Sequence, residues 1–365
     1  MTEVRGRMAR FVCAECGAVL SAPVSRVALP VHAGHDFSHQ LLPPLMESGT
    51  YAIDPAPFGP PWRRWDEVGP EEAAARGVFA PTHAVCFGTP GTMVITPGDA
   101  RNTALIPERC EGSCYGVDGR AGPNLACTGC GRPVATRIDD CGAWQEVRFA
   151  PQAVHLLAGD DREPPPLDWA GFANEHPAVE PIEPQGWWNP RWEAAVGVAL
   201  AHVVAASAGR PVTLPGGLLT ETFGRWLNIL LPPGPPAKRL VLAGPGLPDP
   251  DDDADILLVP RHPRTGEAWQ PPAPVAGVPL AAEVWMYLAF HRDRRRQCDR
   301  PPIPATGGLP EGVLRDDPPP RNPGSRFQPA GPLFLRTLAG LPVVRLPWLR
   351  EIYDRVEAAP YTFPY

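Results

Sequence analysis

Apolar residues fall in short runs of strand length through the first 150 residues of the chain and recur at helical spacing through much of the rest. Phe11-Val12, Ala18-Val19-Leu20 and Met93-Val94-Ile95 are short apolar runs of strand type, and Pro133–Ile138 alternates as a half-buried strand. The first two flank a tight turn as a hairpin. Gly91–Asp99 reads as a strand running into a turn, with Thr103–Ile106 as its hairpin partner. Further on, Asn189 at an N-cap, Pro190 behind it, apolar Trp192, Val196, Ala199, Leu200 and Val203, and Gly209 with Pro211 beyond them predict an amphipathic helix. Leu219, Phe223, Trp226, Leu227 and Leu230 predict a second helix over 217–231, and 281–296 and 348–358 a third and fourth. Arg239–Ala243 and Ile256–Val259 are continuous apolar runs of strand length, which predicts strands covered on both faces.

These elements imply an α+β fold: a β-rich, loop-rich N-terminal domain over 1–158, a Pro- and Trp-rich linker over 159–188, and a helical α+β domain with Pro-rich loops over 189–365. The length of 365 residues fits two cores better than one. With 52 prolines, about one residue in seven resists helix and central strand, so much of the chain is ordered loop. Lys238 is the only lysine among 33 basic residues, an arginine bias that reads as high-GC bacterial codon usage. It follows Ala237, which excludes a phosphate-binding G-x-x-x-x-G-K loop, and G-x-S-x-G, H-E-x-x-H and G-x-G-x-x-G are all absent. The net charge of −7 is spread evenly, with 13 basic against 16 acidic residues in 1–150 and 20 against 24 beyond, so neither half carries the positive field that nucleic-acid binding needs. No apolar run reaches the ~20 residues of a membrane span, and no signal-peptide core follows Met1.

The cysteines change this picture most. Cys13-Ala14-Glu15-Cys16-Gly17 and Cys127-Thr128-Gly129-Cys130-Gly131 are near-identical knuckles, each setting two thiols on one side of a tight bend that glycine allows the backbone to complete. They resemble zinc-ribbon or rubredoxin-like modules. The resemblance covers a minor part of the chain and implies a fold element stabilised by structural Zn²⁺, one or two ions, not an activity. Two ligand assignments stand open. Cys110, Cys114, Cys127 and Cys130 form a local set within 21 residues, leaving Cys13 and Cys16 to recruit from His32, His35, His39, Cys86 and Cys141. Alternatively the two look-alike knuckles pair, and Cys110, Cys114 and Cys141 make another site or none. Dithiol redox use is disfavoured, because strand-like residues rather than a helix follow each pair. Nine cysteines clustered as knuckles in a chain without a signal peptide point to a reducing cytoplasm.

Other constellations have ordinary readings beside sharper ones. His32, His35 and His39 fall at helical spacing, with Asp36 available as an orienting carboxylate, and are either an open metal site or solvated surface histidines. The Asp249–Asp255 run lacks the glycine and glutamate of a calcium loop, having Ala254 and Pro260 in those places, and reads as a solvated acidic loop. Arg292, Arg294, Arg295 and Arg296 complement a helix C-terminus or bind an anion, and Cys298 beside them is an inert or an activated thiol. Trp169, Trp187, Trp188 and Trp192 gather near the domain junction, as an internal staple or as a partner surface. The function these features favour is a cytoplasmic, zinc-stabilised binding or adaptor protein with a protein partner. A hydrolase-type enzyme using His/Cys-coordinated zinc and a nucleic-acid-binding regulator are the alternatives.

Overall fold

The computed structural model describes residues 8–34, 41–110, 114, 116–158, 168–169, 171–172, 178–183, 186–271, 275–290 and 325–358. His35, Asp36, His39, Arg292, Arg294, Arg295, Arg296 and Cys298 lie outside them. The chain is an α+β protein that divides into two compact units, one of residues 1–167, 262–267 and 335–350, the other of 168–261, 268–334 and 351–365.

The first unit is built on β1 (Met8–Cys13), β2 (Val24–Arg26), β3 (Thr50–Asp54), the small pair β4 (Trp62–Arg64) and β5 (Ala84–Cys86), β6 (Thr92–Ile95), β7 (Thr103–Leu105), β8 (Leu125–Cys127), β9 (Pro133–Ile138), β10 (Glu146–Phe149) and β11 (Val154–Ala158). Nine of these form one sheet in the order β11-β1-β2-β3-β6-β10-β9-β8-β7, antiparallel except where β2 meets β3. In a flat sheet β1 and β8 would stand six strand spacings apart, about 29 Å at ~4.8 Å each. Yet sulfurs at the ends of these two strands, those of Cys13 and Cys127, lie within 4.8 Å of one another. The sheet is therefore strongly curled, and its inner face closes on Phe11, Leu20, Val24, Tyr51, Ile95, Leu125, Val134, Val147 and Phe149. Phe11 is central there, with its ring 5.2 Å from Tyr51 and 5.3 Å from Phe149. Alternate residues Ala52 and Val94 point to the other face, under Leu42, Leu45, Met46 and Trp144.

The apolar run at β6 and the alternation at β9 are both strands, but the partner expected for β6 is a different one. The segment Thr103–Leu105 pairs with β8, whereas β6 lies between β3 and β10. Pro97 and Gly98 lead into a 3₁₀ turn instead of a hairpin return, and the buried Asp99 carboxylate turns away to accept from Ser48 and from the Gly49 amide. The return strand expected at Ala18–Leu20 is a single bridge, Val12 to Val19, supported by the Leu20 amide donating to the Phe11 carbonyl.

The second unit has four parallel strands in sequence order, β12 (Val212–Thr213), β13 (Lys238–Leu242), β14 (Ile256–Arg261) and β15 (Ala276–Ala281). Helix Pro190–Ser207 packs on β14 and β15, as does helix Ala282–Phe290. Asn189 caps the former as expected, its side chain accepting from the Arg191 amide at 2.9 Å. At its other end Lys238 Nζ donates to the Ala206 carbonyl at 2.6 Å, so the chain's one lysine closes a helix C-terminus. Five residues of β14 are buried, which matches coverage on both faces, but β13 is half-buried, with only the two-residue β12 on the side away from β14. The second expected helix spans Gly217–Leu230 with a π turn at Thr220–Gly224, and the fourth is Pro347–Glu357. Helix Gly331–Ala339 was not anticipated. Among the described residues no helix is long and apolar enough to cross a membrane.

A charged triad sits inside the first unit. Arg148, its side chain 4% exposed, donates to Glu146 at 2.8 Å and to Asp54 at 2.5 Å, under the ring of Phe58 at 4.2 Å. Removing one partner of a buried ionic group leaves the others uncompensated, so Arg148→Ala is expected to cost about 3–5 kcal/mol. Denaturant titration should read that loss for Arg148→Ala and a far smaller one for Arg64→Ala, which breaks only an exposed pair with Asp66.

Candidate metal centre

Each knuckle is the continuation of a strand that ends on cysteine. β1 delivers Cys13 and β8 delivers Cys127 into the inner core, both buried, and one turn later the chain places Cys16 and Cys130 at the surface. The two turns have the same hydrogen bonds. The Gly17 amide donates to the Cys13 carbonyl at 2.9 Å and the Cys13 amide to the Ala18 carbonyl at 2.8 Å. The Gly131 amide donates to the Cys127 carbonyl at 2.8 Å and the Cys127 amide to the Arg132 carbonyl at 2.9 Å. Gly17 and Gly131 have φ of 73° and 77°, the left-handed region where a side chain is strained. The repeated glycine in the two motifs is thus a backbone requirement.

The four sulfurs converge. Cys13 and Cys130 Sγ are 3.6 Å apart, as are Cys16 and Cys127, and all four lie within 4.8 Å of one another. A tetrahedron of thiolates with metal–sulfur bonds of about 2.3 Å has edges of roughly 3.8 Å, whereas a disulfide would need about 2.0 Å. The spacing therefore suits four thiolates around one ion. The thiols are unequal. Burial pushes the Cys13 thiol up, but the amides of Cys16 and Glu15 and the thiols of Cys130 and Cys16 together outweigh it and bring it down to about 7. Cys130 is pushed up to about 12: the Arg132 amide favours its thiolate, but desolvation and the three other thiols oppose a second negative charge. A divalent cation removes that repulsion.

Neighbouring residues hold the two knuckles in register. Asn102, at φ 48°, donates from its side chain to the Val19 carbonyl at 2.8 Å beside the first knuckle, and its own carbonyl accepts the Thr128 amide at 2.9 Å in the second. Arg132 pairs with Glu15 across the turns at 3.1 Å and also donates to the Gln152 carbonyl. Neither Asn102 nor Arg132 was singled out in the sequence. The tolerance of asparagine for positive φ is the only signal Asn102 carries.

The remaining candidates fall elsewhere. Cys110 is not gathered with Cys127 and Cys130; its Sγ donates to the Ile106 carbonyl at 3.2 Å. Cys114 and Cys141 meet Asp140 in a separate group of three within 4.8 Å. Cys86 donates to the Gly59 carbonyl at 3.1 Å, and burial pushes its thiol up. His32 is buried, its ring 4.5 Å from Trp144. In the second unit burial pushes Glu193 up to about 8 and His202 down, but nine residues apart they lie on opposite sides of their helix and do not form one site. Asp251 and Asp253 are exposed and both accept from Arg239. Compared with known protein families, curated proteins and solved structures, the chain gives no match.

Asn102→Ala removes the bond to Val19 and forces alanine into a left-handed conformation. The expected cost is about 1–3 kcal/mol. Loaded with one equivalent of added zinc, the same variant should release it to a competing chelator faster than the parent chain, read by a colorimetric assay.

Proposed function

We propose that this chain is a zinc-stabilised binding protein of the cytoplasm, in which a zinc-ribbon-like centre organises the first unit and the second unit presents a surface to a protein partner. The observation that carries the reading is the convergence of Cys13, Cys16, Cys127 and Cys130 with sulfur separations of 3.6 Å. Four cysteine thiolates suit Zn²⁺, as they also suit iron, and fill a tetrahedral shell without leaving a place for water or substrate, which is the coordination of structural rather than catalytic zinc. Ligation needs thiolates, and a reducing compartment keeps them available.

Support for a recognition role comes from the indoles of the second unit. Trp188 packs edge-on to Phe327 at 5.1 Å and Trp192 to Tyr287 at 5.3 Å, each also donating to a backbone carbonyl. Trp187 beside them is 60% exposed. A rigidly flanked, solvent-facing tryptophan is the kind of residue that anchors protein interfaces.

The test is metal removal from reduced protein, followed by calorimetry and near-ultraviolet circular dichroism. Structural zinc in such sites contributes on the order of 10 kcal/mol to folding, so chelation should abolish the unfolding transition of the first unit, and Cys127→Ser/Cys130→Ser should reproduce the loss. A stripped protein with unchanged Tm and spectrum would contradict the reading and favour an exchangeable metal with another task.

A further inference from the structure

Apart from the four-cysteine cluster, the first unit brings together a second set of soft and hard ligand atoms. Cys114, Asp140 and Cys141 each offer one atom, and the three atoms lie within 4.8 Å of one another. Asp140 follows β9 and is only 7% exposed, Cys141 is half-buried and Cys114 exposed, so the group opens to solvent on the Cys114 side. Local backbone structure brings the carboxylate and thiol together. Asp140 Oδ1 accepts the Cys141 amide at 2.9 Å, which folds the carboxylate over its own backbone beside the following side chain. The two chain stretches are tied as well: the Asp139 amide donates to the Val117 carbonyl at 2.8 Å, three residues beyond Cys114. Asn124 fastens the start of the same strand end, accepting from the Arg137 amide at 2.7 Å and donating to the Arg137 carbonyl at 2.9 Å.

Two thiolates and a carboxylate are all anionic when they ligate, and a cation held among the three atoms removes their mutual repulsion. Calcium and magnesium take oxygen shells, whereas two sulfurs with one oxygen suit a tetrahedral ion of the zinc class. Three protein ligands leave one of four positions vacant for water, on the exposed side. We propose that Cys114, Asp140 and Cys141 form a second zinc-class site, distinct from the four-cysteine centre, with an open fourth coordination position and hence a more readily exchanged ion. This goes beyond the structural role proposed for the first centre and does not depend on it.

Zinc titration of the reduced, metal-free full chain, read by native mass spectrometry, tests the proposal. Two ions per chain are expected, the second lost first to a mild chelator. Asp140→Asn preserves side-chain shape and should weaken the second ion by about tenfold or more while leaving the first in place. Cys114→Ser/Cys141→Ser should reduce the stoichiometry to one without lowering the Tm that the first ion sustains. A wild-type chain that binds one ion, lost in Cys127→Ser/Cys130→Ser, overturns the second site and leaves the first intact. A second ion that survives both Asp140→Asn and Cys114→Ser/Cys141→Ser also overturns it. So does a freshly purified chain lighter by two hydrogens, with Cys114 and Cys141 in one crosslinked peptide, because the pair would then have given two electrons and two protons to an oxidant such as glutathione disulfide.

Discussion

The meeting of two chain segments at four thiols is the constraint from which the first unit takes its form. Cys13 and Cys130 are 117 residues apart, and the strands leading to the two knuckles are separated by five others in the sheet. Their sulfurs converge only if the sheet curls, and the curl encloses Phe11, Tyr51, Phe149 and their neighbours. Cys13 and Cys127 belong to that core, so thiol cluster and apolar core are contiguous. Closing a long loop costs chain entropy that rises only slowly with length, about 0.6 kcal/mol per doubling, so the wide separation of the two knuckles is no obstacle when a strongly held ion joins them.

This arrangement also explains how a proline-rich, loop-rich segment can support a defined core. Several strands have only three residues, and Ser48–Gly49, Asn102 and Arg132 fasten loops through side-chain and backbone bonds where sheet pairing is sparse. The charged triad of Arg148, Glu146 and Asp54 performs a related task between β10 and β3, which are not adjacent strands but both border β6. Parallel strands backed by helices give the second unit a more usual core, in which β14 is buried and helix Pro190–Ser207 lies against it.

What the sequence made legible was local. The C-x-x-C-G turns were readable because two thiols and a left-handed glycine are specified within five residues, and the matching bonds at Gly17 and Gly131 express that. The helix from Pro190 was readable because its cap, its first proline and its terminating glycine are all short-range signals. Which knuckle pairs with which was not legible, since spacing favours Cys110 and Cys114 as partners of Cys127 and Cys130, whereas the curl brings up Cys13 and Cys16. The same non-local term sent β7 to β8 and placed β6 between β3 and β10. Asp140 was overlooked because a lone aspartate has no motif, and its place beside Cys114 arises only through strand β9 and the turn after it.

X-ray absorption at the zinc edge on reduced protein carrying one equivalent of zinc tests the central claim most directly, because it reads the identity and number of atoms around the ion. Four sulfurs at about 2.3 Å, with no nitrogen or oxygen in the shell, is the result predicted by the pairing of Cys13 and Cys16 with Cys127 and Cys130. A shell containing nitrogen or oxygen at about 2.0–2.1 Å would place the tightest ion elsewhere and contradict the account.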